Sequence, residues 1–148
     1  MSERVTAIHV AKGRRLPMRA VEEVVAEAGR GLVGDRYHGS KHRHVTVQAA
    51  DALAEAAERL GRPVPDELTR RNLTISGAEV PTTPGTRMRI GPVLLEVVRV
   101  AAPCKLLDDT LGPGAQEALR RRAGTVFRVL ESGVIAVESP VTVEETLL

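Results

Sequence analysis

Aromatic side chains are almost missing from this chain: there is no tryptophan, one tyrosine (Tyr37) and one phenylalanine (Phe127). A core must therefore be built from Val, Leu, Ile and Ala. The scarcity argues against a platform on which unpaired bases stack, because that mode of binding single strands rests on aromatic faces. Cysteine is reduced to one residue, Cys104, so no internal disulfide can form. No run approaches the roughly 18 unbroken apolar residues of a membrane-spanning helix. The N-terminus carries no apolar stretch of the kind that directs secretion. One cysteine and no export signal lead to the expectation of a reducing cytoplasm. Lysine is scarce as well: Lys12, Lys41 and Lys105 are the only lysines among 21 cationic residues. Arginine presents a planar fork suited to phosphate or carboxylate, although many such residues simply form a solvated surface.

The 148 residues suit one domain, 1–148, with a real core. Formal net charge is only +2. It is unevenly spread: residues 1–50 hold nine Lys/Arg, five Asp/Glu and all four histidines. Strongly basic chains bind nucleic acid, and the sequence pI of about 9.1 raises that class. The small net charge and the missing aromatics argue against it.

Most segments read as short strands punctuated by Gly, Pro, Asn and Ser. Residues 5–11, 20–26, 44–48, 71–75, 87–90, 93–100, 125–131 and 134–138 fit this description. In 44–48, Val45 and Val47 share a face. Gly91-Pro92 and Ser132-Gly133 are two-residue links that predict hairpins. Two segments read as helix. Residues 49–60 place Leu53, Ala56, Ala57 and Leu60 on one stripe, with Gly61 positioned to end it. Residues 114–122 form the second, shorter one, whose Arg120–Arg122 would complement the macrodipole in a last turn. Many closely spaced strands with two short helices predict a mostly β (α+β) fold, a barrel closed on itself.

Four segments carry possible chemistry. Gly31-Leu32-Val33-Gly34-Asp35-Arg36-Tyr37-His38-Gly39 places three glycines in nine residues, so its backbone turns sharply or approaches something closely. Asp35 there either caps backbone amides or, with Arg36 and His38, serves a site. Arg70-Arg71-Asn72 offers two guanidinium forks and an amide to an anion, or else a salt-bridged strand end near Asp66 and Glu67. Pro103-Cys104-Lys105 follows the strand 93–100. A thiolate is both nucleophile and soft metal ligand, and an adjacent cation favours ionisation. The competing reading is a buried structural cysteine. Of His38, His42 and His44, the last two share a face if the segment is extended, which would make half a zinc site, but no cysteine or clear acidic ligand completes it; solvated loop histidines are the plainer reading.

Taken in order, these segments resemble the MOSC domain family, named for the C-terminal domain of molybdenum cofactor sulfurases, and most of all its small stand-alone bacterial members. Gly34-Asp35-Arg36-Tyr37-His38 comes first, then Arg43-His44-Val45-Thr46-Val47 leading into a helix. Arg70-Arg71-Asn72 follows, then Pro84-Gly85-Thr86-Arg87-Met88-Arg89-Ile90-Gly91. Next is the strand that runs into Pro103-Cys104. Last comes Phe127-Arg128-Val129-Leu130 with Ser132-Gly133-Val134-Ile135, similar to the family's closing hairpin. The likeness spans about residues 5–143.

The resemblance implies a MOSC-like β-barrel. It implies that Cys104 carries sulfur as a persulfide or ligates the molybdenum of a molybdopterin-type cofactor, with Lys105 helping to keep the thiol ionised. Arg70 and Asn72 match positions that contact the pterin phosphate in cofactor-bearing relatives, and Arg36 is a further candidate for that pocket. The activity implied is that of a molybdenum-dependent oxidoreductase acting on N-hydroxylated substrates, or of a sulfur carrier. No PLP-dependent desulfurase portion and no ferredoxin-like cysteine set accompany these motifs. Sulfur or electrons would then come from another protein in trans. The alternative is a non-catalytic module that binds a small molecule or a protein around a structural cysteine.

Overall fold

Alternating apolar residues become strands wherever both faces of a sheet can be covered. In the computed structural model, which describes residues 3–103 and 106–144, eleven strands and three helices form among the described residues. In chain order they are β1 Arg4–Val10, β2 Arg19–Ala20, β3 Glu23–Glu27, β4 Gly31–Leu32, β5 Val45–Ala49, α1 Ala50–Leu60, β6 Leu73–Ser76, β7 Arg87–Ile90 and β8 Val93–Val100. There follow α2 Leu106–Leu111, α3 Ala115–Ala118, β9 Thr125–Glu131, β10 Gly133–Ala136 and β11 Val141–Glu144. A single 3-10 turn, Asp66–Leu68, precedes β6.

Eight strands make one sheet in the order β11-β7-β8-β9-β5-β6-β1-β2, and β10-β3-β4 make a second. All pairings are antiparallel except β5 with β6, the two strands joined through α1. The large sheet is an open ladder with β11 and β2 at its ends, so the expected closed barrel is corrected to a mostly β, α+β arrangement. The two termini do approach each other: Arg4 and Pro140 form an isolated bridge, and Val5 N–H donates to Ser139 O at 3.0 Å. That contact stays an isolated bridge, and no ladder joins β1 to β11.

The main core lies between the sheets. Val5, Ile8, Val45, Val47, Leu73, Ile75, Met88, Ile90, Leu95 and Phe127 are all within 1% of complete burial. Each such side chain contributes about 1.5–3 kcal/mol through burial. A smaller core joins Leu53 and Ala56 of α1 to Leu107 and Leu111 of α2, Ala115 and Ala118 of α3, and Leu119. The predicted stripe of α1 is realised, with Ala57 and Leu60 half-buried against that same core. Gly61 ends the helix as expected: at φ 74° its N–H donates to Ala57 O at 2.8 Å.

Several expectations need correction. The Gly91-Pro92 hairpin forms, with Ile90 opposite Val93. The Ser132-Gly133 hairpin does not: β10 pairs with β3, not with β9. Both edges of β9 are already occupied, by β8 and by β5. Gly133 also crosses over Pro92 so closely that a Cβ there would lie 2.7 Å from Pro92 Cγ. The single strand expected over 20–26 is two strands, β2 on β1 and β3 on β10, because the chain changes sheets at Val21 and Glu22. The helix expected over 114–122 stops at Ala118, since Arg121 takes a left-handed φ of 66°. Arg120–Arg122 therefore sit beyond the helix and do not complement its dipole.

Candidate anion-binding cleft

The glycine-rich segment folds into a loop organised by Asp35. Asp35 is 6% exposed. One carboxylate oxygen, Oδ1, accepts from Ala11 N–H at 3.1 Å and from Arg36 Nη1 at 3.2 Å; the other, Oδ2, accepts from Tyr37 N–H at 3.3 Å. Asp35 thus caps backbone amides, one of the two readings of the loop, and it also fixes Arg36, whereas His38 turns away to Glu27. Arg36 Nη2 donates to Arg70 O at 3.2 Å, and Nη1 lies 3.4 Å from Met18 Sδ. The Asp35 and Arg36 side chains are 0% and 4% exposed, a buried ion pair.

Tyr37 stands between two cations. The guanidinium carbon of Arg36 lies 4.6 Å from the ring centroid and that of Arg43 lies 4.4 Å from it. Such stacking stabilises a cation that has lost water. Arg43 Nε is buried and has no hydrogen-bond partner. Burial pulls the Arg43 guanidinium below its ordinary value; Tyr37 opposes this, and the positive charges of Arg36 and Arg99 add to it. The group stays protonated, and an anion would relieve both the desolvation and the crowding of like charge.

Arg70 is one of three non-glycine residues with positive φ among the described residues, at 64°. Its Nη1 donates to Leu16 O at 2.9 Å and its Nη2 to Arg14 O at 2.7 Å, so it fastens the loop before β2. Arg71 is buried; its Nε donates to Ala123 O at 2.6 Å and its Nη2 to Ala102 O at 3.0 Å. Gln116 Nε2 donates to Pro103 O at 3.3 Å. Two successive carbonyls just before Cys104 are thus held by side chains. Cys104 and Lys105 themselves lie outside the described residues.

Arg14, Arg36, Arg43, Arg70 and Arg71 converge on one cleft of about 260 Å³. Tyr37, Leu68, Thr69, Ala102, Leu106, Leu107 and Thr110 complete its walls. Arg36 and Arg70, two of the residues expected at a site, are brought together here. Asn72 is not among the lining residues. It is 1% exposed and spent within the sheets: Oδ1 accepts from Thr46 N–H at 3.0 Å and Thr46 Oγ1 at 3.2 Å, and Nδ2 donates to His9 O at 3.1 Å. Sequence reasoning missed Arg14, Arg43 and Gln116. Arg43 belongs to the Arg43-His44-Val45-Thr46-Val47 motif, but nothing in its neighbours tells that Tyr37, six residues earlier, folds back against it.

The histidines do not gather. His38 Nε2 lies 2.5 Å from Glu27 Oε1, and His42 is exposed. Among the described residues no group of three or more His, Cys, Asp or Glu suits a metal ion. His44 is buried and structural: Nδ1 accepts from Val129 N–H at 2.9 Å, and Nε2 donates to Ser40 O at 2.7 Å. That pair of bonds requires the neutral ring with the proton on Nε2. Burial, the largest cause, lowers the His44 pKa, and Arg128 adds to it while the Ser40 carbonyl opposes. Since the folded value is depressed, the unfolded chain binds more protons below its own pKa of about 6.5, and stability is lost as pH falls below that point. The urea midpoint is expected to drop between pH 7 and pH 5, and His44→Gln should flatten that slope. An unchanged slope in the variant would remove His44 as the cause.

No helix among the described residues is long and apolar enough to cross a membrane. Among curated proteins none matches the chain. Solved structures do. The YuaD protein from Bacillus subtilis superposes with a TM-score of 0.82 at 16% identity, covering 95% of this chain and 94% of that one. YiiM from Geobacillus stearothermophilus gives 0.77 at 22% identity over 97% and 75% of the two chains, and YiiM from Escherichia coli gives 0.75 at 17% over 99% and 71%. At such identities the likeness establishes the fold. The family model of the MOSC domain matches residues 34–142, which begin at the Gly34-Asp35-Arg36 turn, take in the arginines at 36, 43, 70 and 71, and run to β11. With that match covering well over half of its length, the chain belongs to the MOSC domain family.

Proposed function

We propose that the arginine cleft binds the anionic end of a molybdopterin-type cofactor and that Cys104 is the thiolate that ligates its molybdenum or carries sulfur. The observation that carries this reading is Arg43, whose buried Nε has no partner while four further arginines line the same cleft. The residues present fit a phosphate: guanidinium forks match its oxygens, and the cation–π stack on Tyr37 keeps Arg43 charged in a partly dry site. Arg36 and Arg70 shape the cleft from its loops, as their own hydrogen bonds run to protein carbonyls and to Asp35. Ala102 and Leu106, which flank Cys104 and Lys105 in sequence, both line the cleft. Arg71 and Gln116 hold the carbonyls of Ala102 and Pro103, the two residues before Cys104 in sequence.

When bound, the molybdenum centre supplies the redox chemistry, here the removal of an oxygen atom from N-hydroxylated substrates. The protein's share is to bind the phosphate, orient the cofactor against Cys104 and keep the thiol ionised, a task in which Lys105 and the positive field of the cleft act together. Sulfur or electrons come from a partner protein. The test is expression with a complete cofactor pathway, followed by molybdenum, pterin and persulfide analysis of wild type, Cys104→Ser and Arg43→Ala. Molybdenum or persulfide sulfur should accompany wild type and vanish in Cys104→Ser, while pterin should be lost in Arg43→Ala. Neither metal, pterin nor persulfide on the wild type would overturn the reading and leave a binding module with a structural cysteine.

A further inference from the structure

Where β5 passes into α1 and residues 78–82 leave β6, the main core ends in a second concavity of about 430 Å³. It shares no lining residue with the arginine cleft. Thr125 forms part of its wall, on the face of β9 that also carries Phe127 and Val129. Thr125 is 0% exposed, and its Oγ1 has no hydrogen-bond partner. A buried hydroxyl left unpaired is destabilising, so its presence asks for a group that comes from outside the chain.

A second, independent feature faces the same space. The eleven-residue helix α1 starts there, with Ala49, Asp51 and Ala52 on the wall. Its N-cap is Ala49, and no side chain caps it. Asp51 is the acidic residue of that first turn and already complements the dipole, while the uncapped backbone N–H groups remain as donors to a ligand carboxylate. Around the rim stand Asp51, Glu79 and Arg121. None of these three makes an ion pair or side-chain hydrogen bond among the described residues, whereas their neighbour Arg122 is held by Glu55 at 3.1 Å. Setting that internal pair aside, two carboxylates and one guanidinium remain to meet a ligand.

We infer that this concavity binds a single α-amino acid and favours one with a cationic side chain. Arg121 and the first turn of α1 receive the carboxylate. Asp51 and Glu79 receive the ammonium groups, and the Thr125 hydroxyl takes a hydrogen bond from or to the ligand. A site with one more carboxylate than guanidinium prefers a ligand of net positive charge, which sets the order lysine, serine, glutamate.

The experiment is calorimetric titration of the full chain with L-lysine, L-serine and L-glutamate, with inorganic phosphate as a purely anionic probe and putrescine as a purely cationic one. Lysine is expected to bind best, with Kd of about 1 mM or below, and Thr125→Val to weaken it about tenfold or more. Melting of the unliganded Thr125→Val protein should be unchanged or raised, because the variant deletes an unpaired hydroxyl. Glu79→Gln, an exposed change that leaves the core intact, should narrow the preference for lysine over serine. The inference is overturned if no amino acid binds below about 10 mM, if phosphate or putrescine binds as well as lysine, or if both variants bind lysine like wild type. A lower melting temperature in Thr125→Val also overturns it, since the hydroxyl would then be satisfied by a structural water.

Discussion

Replacing Asp35 by alanine is expected to destabilise the protein by about 3–5 kcal/mol, the usual consequence of removing one partner from a buried ion pair. Three donors lose their acceptor at once: Ala11 N–H, Tyr37 N–H and Arg36 Nη1. Arg36, with 4% of its side chain exposed, has little access to water as a substitute. The damage spreads to the cleft. Arg36 also donates to Arg70 O and stacks on Tyr37, which in turn carries Arg43. Urea unfolding of Asp35→Ala measures the loss directly, and Asp35→Asn, which keeps an acceptor oxygen, should recover part of it. Wild-type stability in Asp35→Ala would mean that the loop does not depend on this carboxylate.

Asn72→Ala is expected to cost about 3 kcal/mol, since each buried group left without a partner costs about 1–3 kcal/mol. Thr46 N–H loses its acceptor, His9 O loses a donor, and Thr46 Oγ1 keeps only its bond from Asn72 N–H. The side chain lies at the junction of β5, β6 and β1, where Leu73 pairs with both Val47 and Ile8. The family resemblance assigns Asn72 to a phosphate contact, whereas its bonds place its main energetic role in the sheet. The two roles separate in one comparison: equilibrium unfolding without any cofactor should already show the deficit. Full stability of the apo variant would restore the contact role.

Much of the strand pattern could be read from the chain, because residues such as Val45, Val47, Leu73 and Ile75 alternate or cluster as sheet residues and are buried as that pattern requires. The bounds of β7, β8 and β9 came out as the apolar runs and glycine or proline breaks indicated. Pairing was less legible. Ser132-Gly133 has hairpin chemistry, yet β9 had no free edge, and edge occupancy is a property of the whole sheet. Helix α2 was missed although Leu107 and Leu111 stand one turn apart, because Asp108, Asp109 and Thr110 between them look like a loop. At the site, arginine density was visible in the sequence, but the division of labour was not. Arg70 and Arg71 use their forks on backbone carbonyls brought in from residues 14, 16, 102 and 123. Arg43, to which the sequence motifs assign no role, is left with the unpartnered nitrogen. Long-range contacts of that kind decide which arginine has binding capacity to spare.

The central claim is that the cleft around Arg43 holds an anionic cofactor beside Cys104, and its most direct test is the pterin and molybdenum content of protein made with the cofactor pathway intact. Wild type should carry both, Arg43→Ala should lose the pterin while keeping its fold, and Cys104→Ser should lose the metal. Wild-type protein free of pterin and of molybdenum, or Arg43→Ala protein as fully loaded as wild type, would contradict it.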